Sequence, residues 1–186
     1  MKLNLPNILS ILRIILIPLF IIFFSDPSVS RSQWAALIFA IASVTDWFDG
    51  YIARKWGQVT LSGKFLDPVA DKLLVMSALI MLVEINRVSS WIAIIIIGRE
   101  LAITGLRAIA SSVGVVIAAK EMGKYKTIMQ MFSITFLILG YSVYPAGRQI
   151  DLHLLGTVGL WAAALLSVIS AFDYFYRFWN NITQLK

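Results

Sequence analysis

The sequence predicts an all-α integral membrane protein with six transmembrane helices, and three observations support this fold class. The 186-residue chain is 59% hydrophobic and only 14% charged, whereas soluble domains carry about a quarter charged residues. Its mean hydropathy is +0.83. Six apolar segments come near the roughly 20 residues that a helix needs to cross a bilayer. They are residues 8–24, 33–54, 65–84, 91–110, 127–145 and 152–174.

The six segments are expected to form one transmembrane domain over residues 1–186. The first segment leads into Ser25-Asp26-Pro27 without a small-residue cleavage site, so it is predicted to be a retained span. Polar connections at 84–90 and 144–147 separate later segments, and the sequence contains no internal repeat. It also contains no cysteine, which excludes disulfides and thiolate-bound metals.

The distribution of Lys and Arg predicts that both termini are cytoplasmic. With the N-terminus inside, nine basic residues fall in cytoplasmic connections and tails: Lys2, Arg54, Lys55, Lys64, Lys120, Lys124, Lys126, Arg177 and Lys186. Only Arg31, Arg87 and Arg148 fall outside. The net charge of +6 is therefore explained by the excess of Lys and Arg in cytoplasmic connections, where anionic lipid headgroups attract it. No nucleic-acid partner is needed to explain it.

Charged residues within the apolar segments gather on the predicted cytoplasmic side. Those charges are Arg13, Asp46, Asp49, Asp67, Asp71, Lys72, Arg99, Glu100 and Arg107. Buried charge is costly in a bilayer and usually faces a polar cavity. The sequence thus predicts one cavity open to the cytoplasm.

Four aspartates form the most specific pattern in the chain. Asp46 and Asp49 are three residues apart and Asp67 and Asp71 are four apart, so each pair shares one helical face. The short connection between these helices brings the pairs to the same depth. Four carboxylates in a low-dielectric setting repel each other unless cations bind. Oxygen ligands without nearby His or Cys favour Mg²⁺, Mn²⁺ or Ca²⁺, and two such ions roughly 4 Å apart suit displacement at phosphorus.

Small residues and one arginine accompany the aspartates. Gly50, Ala53 and Gly63 permit close backbone approach, either for helix packing or for a flat ligand. Arg54 lies about one helical turn beyond Asp49, where a guanidinium could bind a phosphate. A lone arginine here would be a positive-inside anchor, but the neighbouring aspartates favour phosphate binding.

The full pattern, Asp46-x-x-Asp49-Gly50-x-x-Ala53-Arg54, eight residues, Gly63-x-x-x-Asp67-x-x-x-Asp71, resembles the signature of the CDP-alcohol phosphatidyltransferases. The resemblance implies a six-helix membrane enzyme, usually a homodimer, with two divalent cations, Mg²⁺ or Mn²⁺. It implies that Asp46, Asp49 and Asp67 ligate one ion and that Asp46, Asp67 and Asp71 surround the other. It also implies that Asp71 is the general base. Asp49, Gly50, Ala53, Arg54 and Gly63 would line the CDP site.

Other segments resemble the bacterial phosphatidylglycerophosphate synthases within that family. These are the N-terminal run from Asn4 to Arg13, "GRELAITGLR" and "GKYKT". The resemblance implies transfer of a phosphatidyl group from CDP-diacylglycerol to sn-glycerol 3-phosphate, giving phosphatidylglycerophosphate and CMP. The acceptor phosphate would be held by Arg107, Lys124, Lys126 and Arg99 on the cytoplasmic side. An ion pair with Glu100 is an equally good explanation of Arg99.

Two alternatives remain open at this point. A sibling enzyme of the same fold could use another acceptor, as cardiolipin, phosphatidylinositol-phosphate and phosphatidylserine synthases do. A divalent-cation transporter would also place carboxylates at membrane depth, but the outer halves of the six segments carry almost no polar residues. The sequence therefore favours a multi-pass enzyme of the cytoplasmic membrane whose active site faces the cytoplasm.

Overall fold

Six α-helices follow one another in the part of the chain that the computed structural model describes. The backbone is described for residues 5–56, 61–112, 114, 122–144 and 148–183, and side chains for 11–45, 69–70, 72–112, 114, 125–144, 148–181 and 183. The helices are α1 (Leu5–Phe24), α2 (Val29–Trp56), α3 (Leu61–Glu84), α4 (Ser90–Ser112), α5 (Met122–Leu139) and α6 (Leu152–Thr183). Each predicted apolar segment therefore coincides with one helix.

The fifth helix ends earlier than its predicted segment, whereas α6 continues beyond the predicted residue 174 to Thr183. The hydropathy pattern predicts a helix as far as residue 145, but α5 ends at Leu139. Gly140 follows with a φ of 63°, the left-handed conformation in which glycine often terminates helices. Two short antiparallel strands then pair, β1 (Ser142–Val143) and β2 (Ile150–Asp151). The turn predicted at 144–147 falls between these strands, and its residues 145–147 lie outside the described chain.

Apolar side chains from α1, α2 and α3 form the centre of the bundle. Phe20 and Phe24 of α1 are fully buried with Phe39 of α2, and the Phe20 ring centroid lies 5.5 Å from that of Phe24 and 6.1 Å from that of Phe39. Leu74 and Leu79 of α3 are equally buried in this cluster. Helices α4, α5 and α6 extend the same core.

Glycines allow α5 and α6 to pack closely. A Cβ atom on Gly156 would lie 2.7 Å from the Leu137 side chain and 2.9 Å from the Ser133 carbonyl oxygen. A Cβ atom on Gly159 would collide with the Ser133 hydroxyl. Small residues at such contacts are typical of helix pairs in membranes, where backbones approach each other closely.

Arg87, in the connection between α3 and α4, forms hydrogen bonds with the end of α5. Its Nη1 atom donates hydrogen bonds to the carbonyl oxygens of Leu137, at 3.0 Å, and Ile138, at 2.6 Å. Its guanidinium also lies 5.8 Å from the centroid of the Phe24 ring. Arg87 therefore satisfies carbonyls of the last α5 turn that have no partner within the helix.

The outside of the bundle is unusually apolar. Trp91 and Phe172 are each 72% exposed, and Leu165 is 66% exposed. Soluble proteins rarely expose contiguous apolar surface on this scale. Residues 152–181 of α6 are long and apolar enough to cross a membrane, and shorter apolar stretches occupy 11–24 and 125–139. Charged residues interrupt the apolar runs of α2, α3 and α4.

Candidate active site

The four aspartates lie on two helices that contact each other. Asp46 and Asp49 belong to the last part of α2, and Asp67 and Asp71 belong to the first part of α3. The backbone is helical at all four positions, as the predicted spacing requires. Gly50, Ala53 and Arg54 continue α2, and Gly63 lies in the first turn of α3. The side chains of all these residues lie outside the described set, and the side chains within it contain no cluster of three or more metal-binding groups.

Glu100 is the centre of a charged cluster between α4 and α5. One carboxylate oxygen, Oε1, accepts a hydrogen bond from Arg99 Nη1 at 2.9 Å and another from Lys126 Nζ. Lys126 is only 3% exposed. The ion pair of Arg99 with Glu100, which the sequence left as an alternative, is therefore present. Lys126, expected to hold an acceptor phosphate, shares the same carboxylate.

Arg99 also joins α4 to α6. Its Nε atom donates to the carbonyl oxygen of Ser167 at 3.0 Å, and Nη2 donates to the Ser170 hydroxyl at 3.2 Å. The three contacts hold the guanidinium in one orientation. Arg99 is therefore a structural link as well as a candidate ligand-binding residue, a role that the sequence spacing does not reveal.

Arg107 adds a third cation to this region. Its guanidinium lies 5.7 Å from the ring centroid of Tyr174 on α6, and it is close enough to Lys126 to repel that ammonium group. Among the described side chains, Arg99 and Lys126 thus share the Glu100 carboxylate, and Arg107 adds a third positive charge near Lys126. The excess of positive charge suits an anionic ligand. Lys124, the fourth predicted cation, is on α5 but its side chain is not described.

A cavity of about 50 Å³ adjoins the charged cluster between α3, α4 and α5. Its polar lining comes from Lys72, Glu100, Thr127 and Gln130, and its apolar lining includes Ile96. Since a buried water needs about 10–15 Å³ measured in this way, the space corresponds to a few non-hydrogen atoms of a ligand. Glu100 therefore belongs both to the charged cluster and to the cavity.

Arg13 connects α1 to the helix that carries the first aspartate pair. The Arg13 side chain is 1% exposed, and its Nε atom donates to the carbonyl oxygen of Ala42 at 3.2 Å. Ala42 precedes Asp46 by one helical turn. The cation predicted in the first span is thus buried against α2 close to the aspartate motif.

The sequence model of the CDP-alcohol phosphatidyltransferases matches residues 3–174 of this chain. Because the match includes both aspartate pairs and the helices that bear the charged cluster, the chain belongs to the CDP-alcohol phosphatidyltransferase family. The family predicted from the aspartate pattern is confirmed, and with it the prediction of a phosphatidyltransferase. The family is associated with membranes, in agreement with the apolar exterior.

Similar proteins from several bacteria bear one name, CDP-diacylglycerol–glycerol-3-phosphate 3-phosphatidyltransferase. The Bacillus subtilis protein is 41% identical over 191 residues, which cover 96% of this chain and 97% of that protein. The Rickettsia bellii protein is 43% identical and covers 92% of this chain and 93% of its own length. The Haemophilus influenzae protein is also 43% identical, with coverages of 94% and 92%. The likeness therefore extends over nearly the whole chain.

Proposed function

We propose that this protein transfers the phosphatidyl group of CDP-diacylglycerol to sn-glycerol 3-phosphate, forming phosphatidylglycerophosphate and CMP. The observation that carries the proposal is a group of three cations: Arg99 and Lys126 share the Glu100 carboxylate, and Arg107 lies near Lys126. Three cations and one anion leave two positive charges, which match a phosphate dianion. An uncharged acceptor would not balance them. The names of the similar bacterial proteins support the same reaction.

The donor set of α2 and α3 fits two divalent cations. Asp46, Asp49, Asp67 and Asp71 offer only carboxylate oxygens, which hard cations such as Mg²⁺ and Mn²⁺ prefer. We assign Asp46, Asp49 and Asp67 to one ion and Asp46, Asp67 and Asp71 to the other. When bound, the cations supply charge neutralisation for the pyrophosphate and for the CMP leaving group. Dependence on divalent metals is general in the family.

Asp71 is proposed to act as the general base. Its carboxylate accepts the proton of the acceptor hydroxyl, whose oxygen attacks the phosphorus that bears the diacylglycerol. The new P–O bond forms as the bond to the CMP oxygen breaks. Arg54 binds a donor phosphate through its guanidinium. Gly50, Ala53 and Gly63, with Asp49, line the nucleotide site because they leave room for a flat base beside the helices.

The acceptor phosphate is proposed to bind at the charged cluster. Lys126 and Arg107 supply positive charge at the adjoining ends of α5 and α4, and Lys124 lies half a turn from Lys126 on α5. Arg99 is fixed by Glu100 and by α6. We propose that Arg99 orients the Glu100 carboxylate and adds a positive charge to the acceptor site. Binding at these residues would hold the glycerol hydroxyl toward α3, which carries Asp71.

The distribution of Lys and Arg along the chain supports a particular arrangement in the membrane. We propose six transmembrane helices with both termini and the active site on the cytoplasmic face of the cell membrane. Nine cytoplasmic against three outer basic residues support this orientation. Helix directions agree with the proposal: Gly156 early in α6 lies against Leu137 late in α5, and Arg107 late in α4 contacts Tyr174 late in α6. A homodimer is proposed as the functional assembly.

An acceptor panel tests the proposed function. The purified protein is incubated with CDP-diacylglycerol, Mg²⁺ or Mn²⁺ and one of sn-glycerol 3-phosphate, inositol phosphate, serine or phosphatidylglycerol, and CMP release is measured. We expect strong preference for sn-glycerol 3-phosphate. Equal release with another acceptor would overturn the assignment. Asp71→Asn should abolish release, whereas Asp26→Asn, an exposed carboxylate paired with Arg31, is the matched control.

A further inference from the structure

Gln130 is a buried polar side chain for which the described structure shows no hydrogen-bond partner. It lies on α5, is only 5% exposed and lines the cavity between α3, α4 and α5. Neighbouring polar side chains of α5 are satisfied differently, since the Ser133 hydroxyl donates to the Met129 carbonyl oxygen at 2.7 Å. Gln130 therefore lines the cavity with a side chain whose carboxamide has no hydrogen-bond partner among the described residues.

A carboxamide without a partner, at the wall of a cavity, is suited to binding a ligand. Burying an amide without a hydrogen bond is costly, and the great majority of buried polar groups in proteins have a partner. A carboxamide donates two hydrogen bonds and accepts others. A hydroxyl group, which also donates and accepts, is a matching partner.

The position of Gln130 indicates which hydroxyl it meets. Gln130 is one helical turn beyond Lys126, so both residues lie on the same face of α5. Glu100, which holds Lys126, lines the cavity together with Gln130. On the opposite wall is Lys72, the residue after Asp71 in α3. The cavity thus lies between the cations proposed for the acceptor phosphate and the segment that carries the proposed base.

We propose that Gln130 is a specificity-determining residue that binds the hydroxyl on the middle carbon of the acceptor. This inference rests on the proposed function and deepens it. With the phosphate at Lys126 and the attacking primary hydroxyl near Asp71, the middle carbon of sn-glycerol 3-phosphate occupies the cavity. The cavity of about 50 Å³ has room for these few atoms.

The test compares two acceptors that differ only at the middle carbon. The acceptor 3-hydroxypropyl phosphate keeps the phosphate and the primary hydroxyl but lacks the middle hydroxyl. For the unaltered protein we expect kcat/KM to be at least about tenfold higher with sn-glycerol 3-phosphate, the factor that one hydrogen bond typically provides. Gln130→Leu should lower kcat/KM for sn-glycerol 3-phosphate about tenfold while leaving the value for 3-hydroxypropyl phosphate and the KM for CDP-diacylglycerol unchanged.

Two further variants make the test specific. Gln130→Met keeps the unbranched shape of the side chain and should give the same loss of discrimination, so the test does not depend on the folding of one variant. Gln33→Leu removes an exposed carboxamide that donates to Tyr141 at 3.2 Å, and it should leave the ratio unchanged.

The outcomes separate the two proposals. If the unaltered protein uses sn-glycerol 3-phosphate but the Gln130 variants keep its full preference over 3-hydroxypropyl phosphate, the role of Gln130 is refuted and the proposed function stands. An equal fall with both acceptors would likewise refute it, because that result indicates a structural role. If the unaltered protein transfers to neither acceptor, the proposed function itself fails.

Discussion

The Glu100 carboxylate on α4 accepts a hydrogen bond from Lys126 on α5 through the same oxygen that binds Arg99. Lys126 is 3% exposed and lies near two other cations, Arg99 and Arg107. Without a counter-ion the lysine would be repelled from this position. Glu100 therefore keeps a buried ammonium group in place next to the cavity, and several predictions of the proposed function depend on this relationship.

Glu100→Gln is expected to weaken acceptor binding. The substitution keeps the size of the side chain but removes the charge that holds Lys126 against its cationic neighbours. We expect the KM for sn-glycerol 3-phosphate to rise about tenfold, equivalent to about 1.4 kcal/mol, with the KM for CDP-diacylglycerol unchanged. Steady-state kinetics with each substrate varied in turn measures the difference. Glu84→Gln, an exposed glutamate at the other end of α3, is the matched control and should have no effect.

A double-mutant cycle shows whether Glu100 acts through Lys126. Lys126→Met alone should also raise the KM for sn-glycerol 3-phosphate. Adding Glu100→Gln to that variant should cause little further change, because residues that act through one contact are not additive. Fully additive effects would contradict the account and would place Glu100 in a separate role.

Arg107→Met is expected to affect the acceptor more than the donor. Arg107 lies above the Tyr174 ring and near Lys126, at the proposed phosphate-binding end of α4. Loss of its charge should raise the KM for sn-glycerol 3-phosphate about tenfold and should weaken the dependence of that KM on salt concentration. Arg31→Met removes an exposed arginine paired with Asp26 and provides the comparison. A larger change in the KM for CDP-diacylglycerol would assign Arg107 to the donor site instead.

Arg87→Met is expected to destabilise the fold without changing the chemistry. The guanidinium donates to the carbonyl oxygens of Leu137 and Ile138 and lies near the Phe24 ring. Burial lowers the pKa of Arg87, but an arginine stays charged at physiological pH, so the contribution should not vary with pH. The free energy of unfolding should fall by about 2 kcal/mol, measured as a lower thermal unfolding temperature in detergent.

The matched control for Arg87 is Arg148→Met, since Arg148 is an exposed arginine in the connection between the two strands. Its unfolding temperature should equal that of the unaltered protein. If Arg87→Met unfolds at the same temperature as Arg148→Met, the end of α5 is not held by the arginine.

Gly156→Ala is expected to separate α5 from α6. The added methyl group would lie 2.7 Å from the Leu137 side chain and 2.9 Å from a backbone oxygen, so a helix must move. We expect a loss of about 1–3 kcal/mol in unfolding free energy. Gly105→Ala is the control, because a methyl group added there would meet no atom within 4 Å and alanine favours a helix by about 0.5–1 kcal/mol. Equal unfolding temperatures for the two variants would show that α5 and α6 are not closely packed there.

The sequence predicts the helices and the aspartate pattern well because both are local features. Apolar length determines where a helix can form, and the spacing of Asp46 to Asp49 places both residues on one face without any tertiary information. The end of α5 was predicted too late, because Gly140 and the distant Arg87 together end the helix at Leu139. The mean hydropathy of the segment contains no information about the conformation of Gly140 or about the hydrogen bonds of Arg87.

The charged cluster was predicted only in part. The sequence predicts that Arg99, Arg107 and Lys126 are cations on the cytoplasmic side, and it leaves the pairing of Arg99 with Glu100 open. It does not show that Lys126 shares the same carboxylate, since these residues are 26 positions apart. Gln130 was missed for a similar reason. Its one local signal is its position one turn beyond Lys126, and only the three-helix packing shows that it faces a cavity.

Incorporation of labelled sn-glycerol 3-phosphate into lipid tests the central claim most directly. The purified protein, CDP-diacylglycerol and Mg²⁺ or Mn²⁺ are incubated with the labelled acceptor, and the label in the organic phase is compared with the CMP released. The account predicts one equivalent of labelled phosphatidylglycerophosphate for each CMP, with none after removal of the divalent cation by a chelator or in Asp71→Asn. CMP release without label in the lipid, or full incorporation by Asp71→Asn, would contradict it.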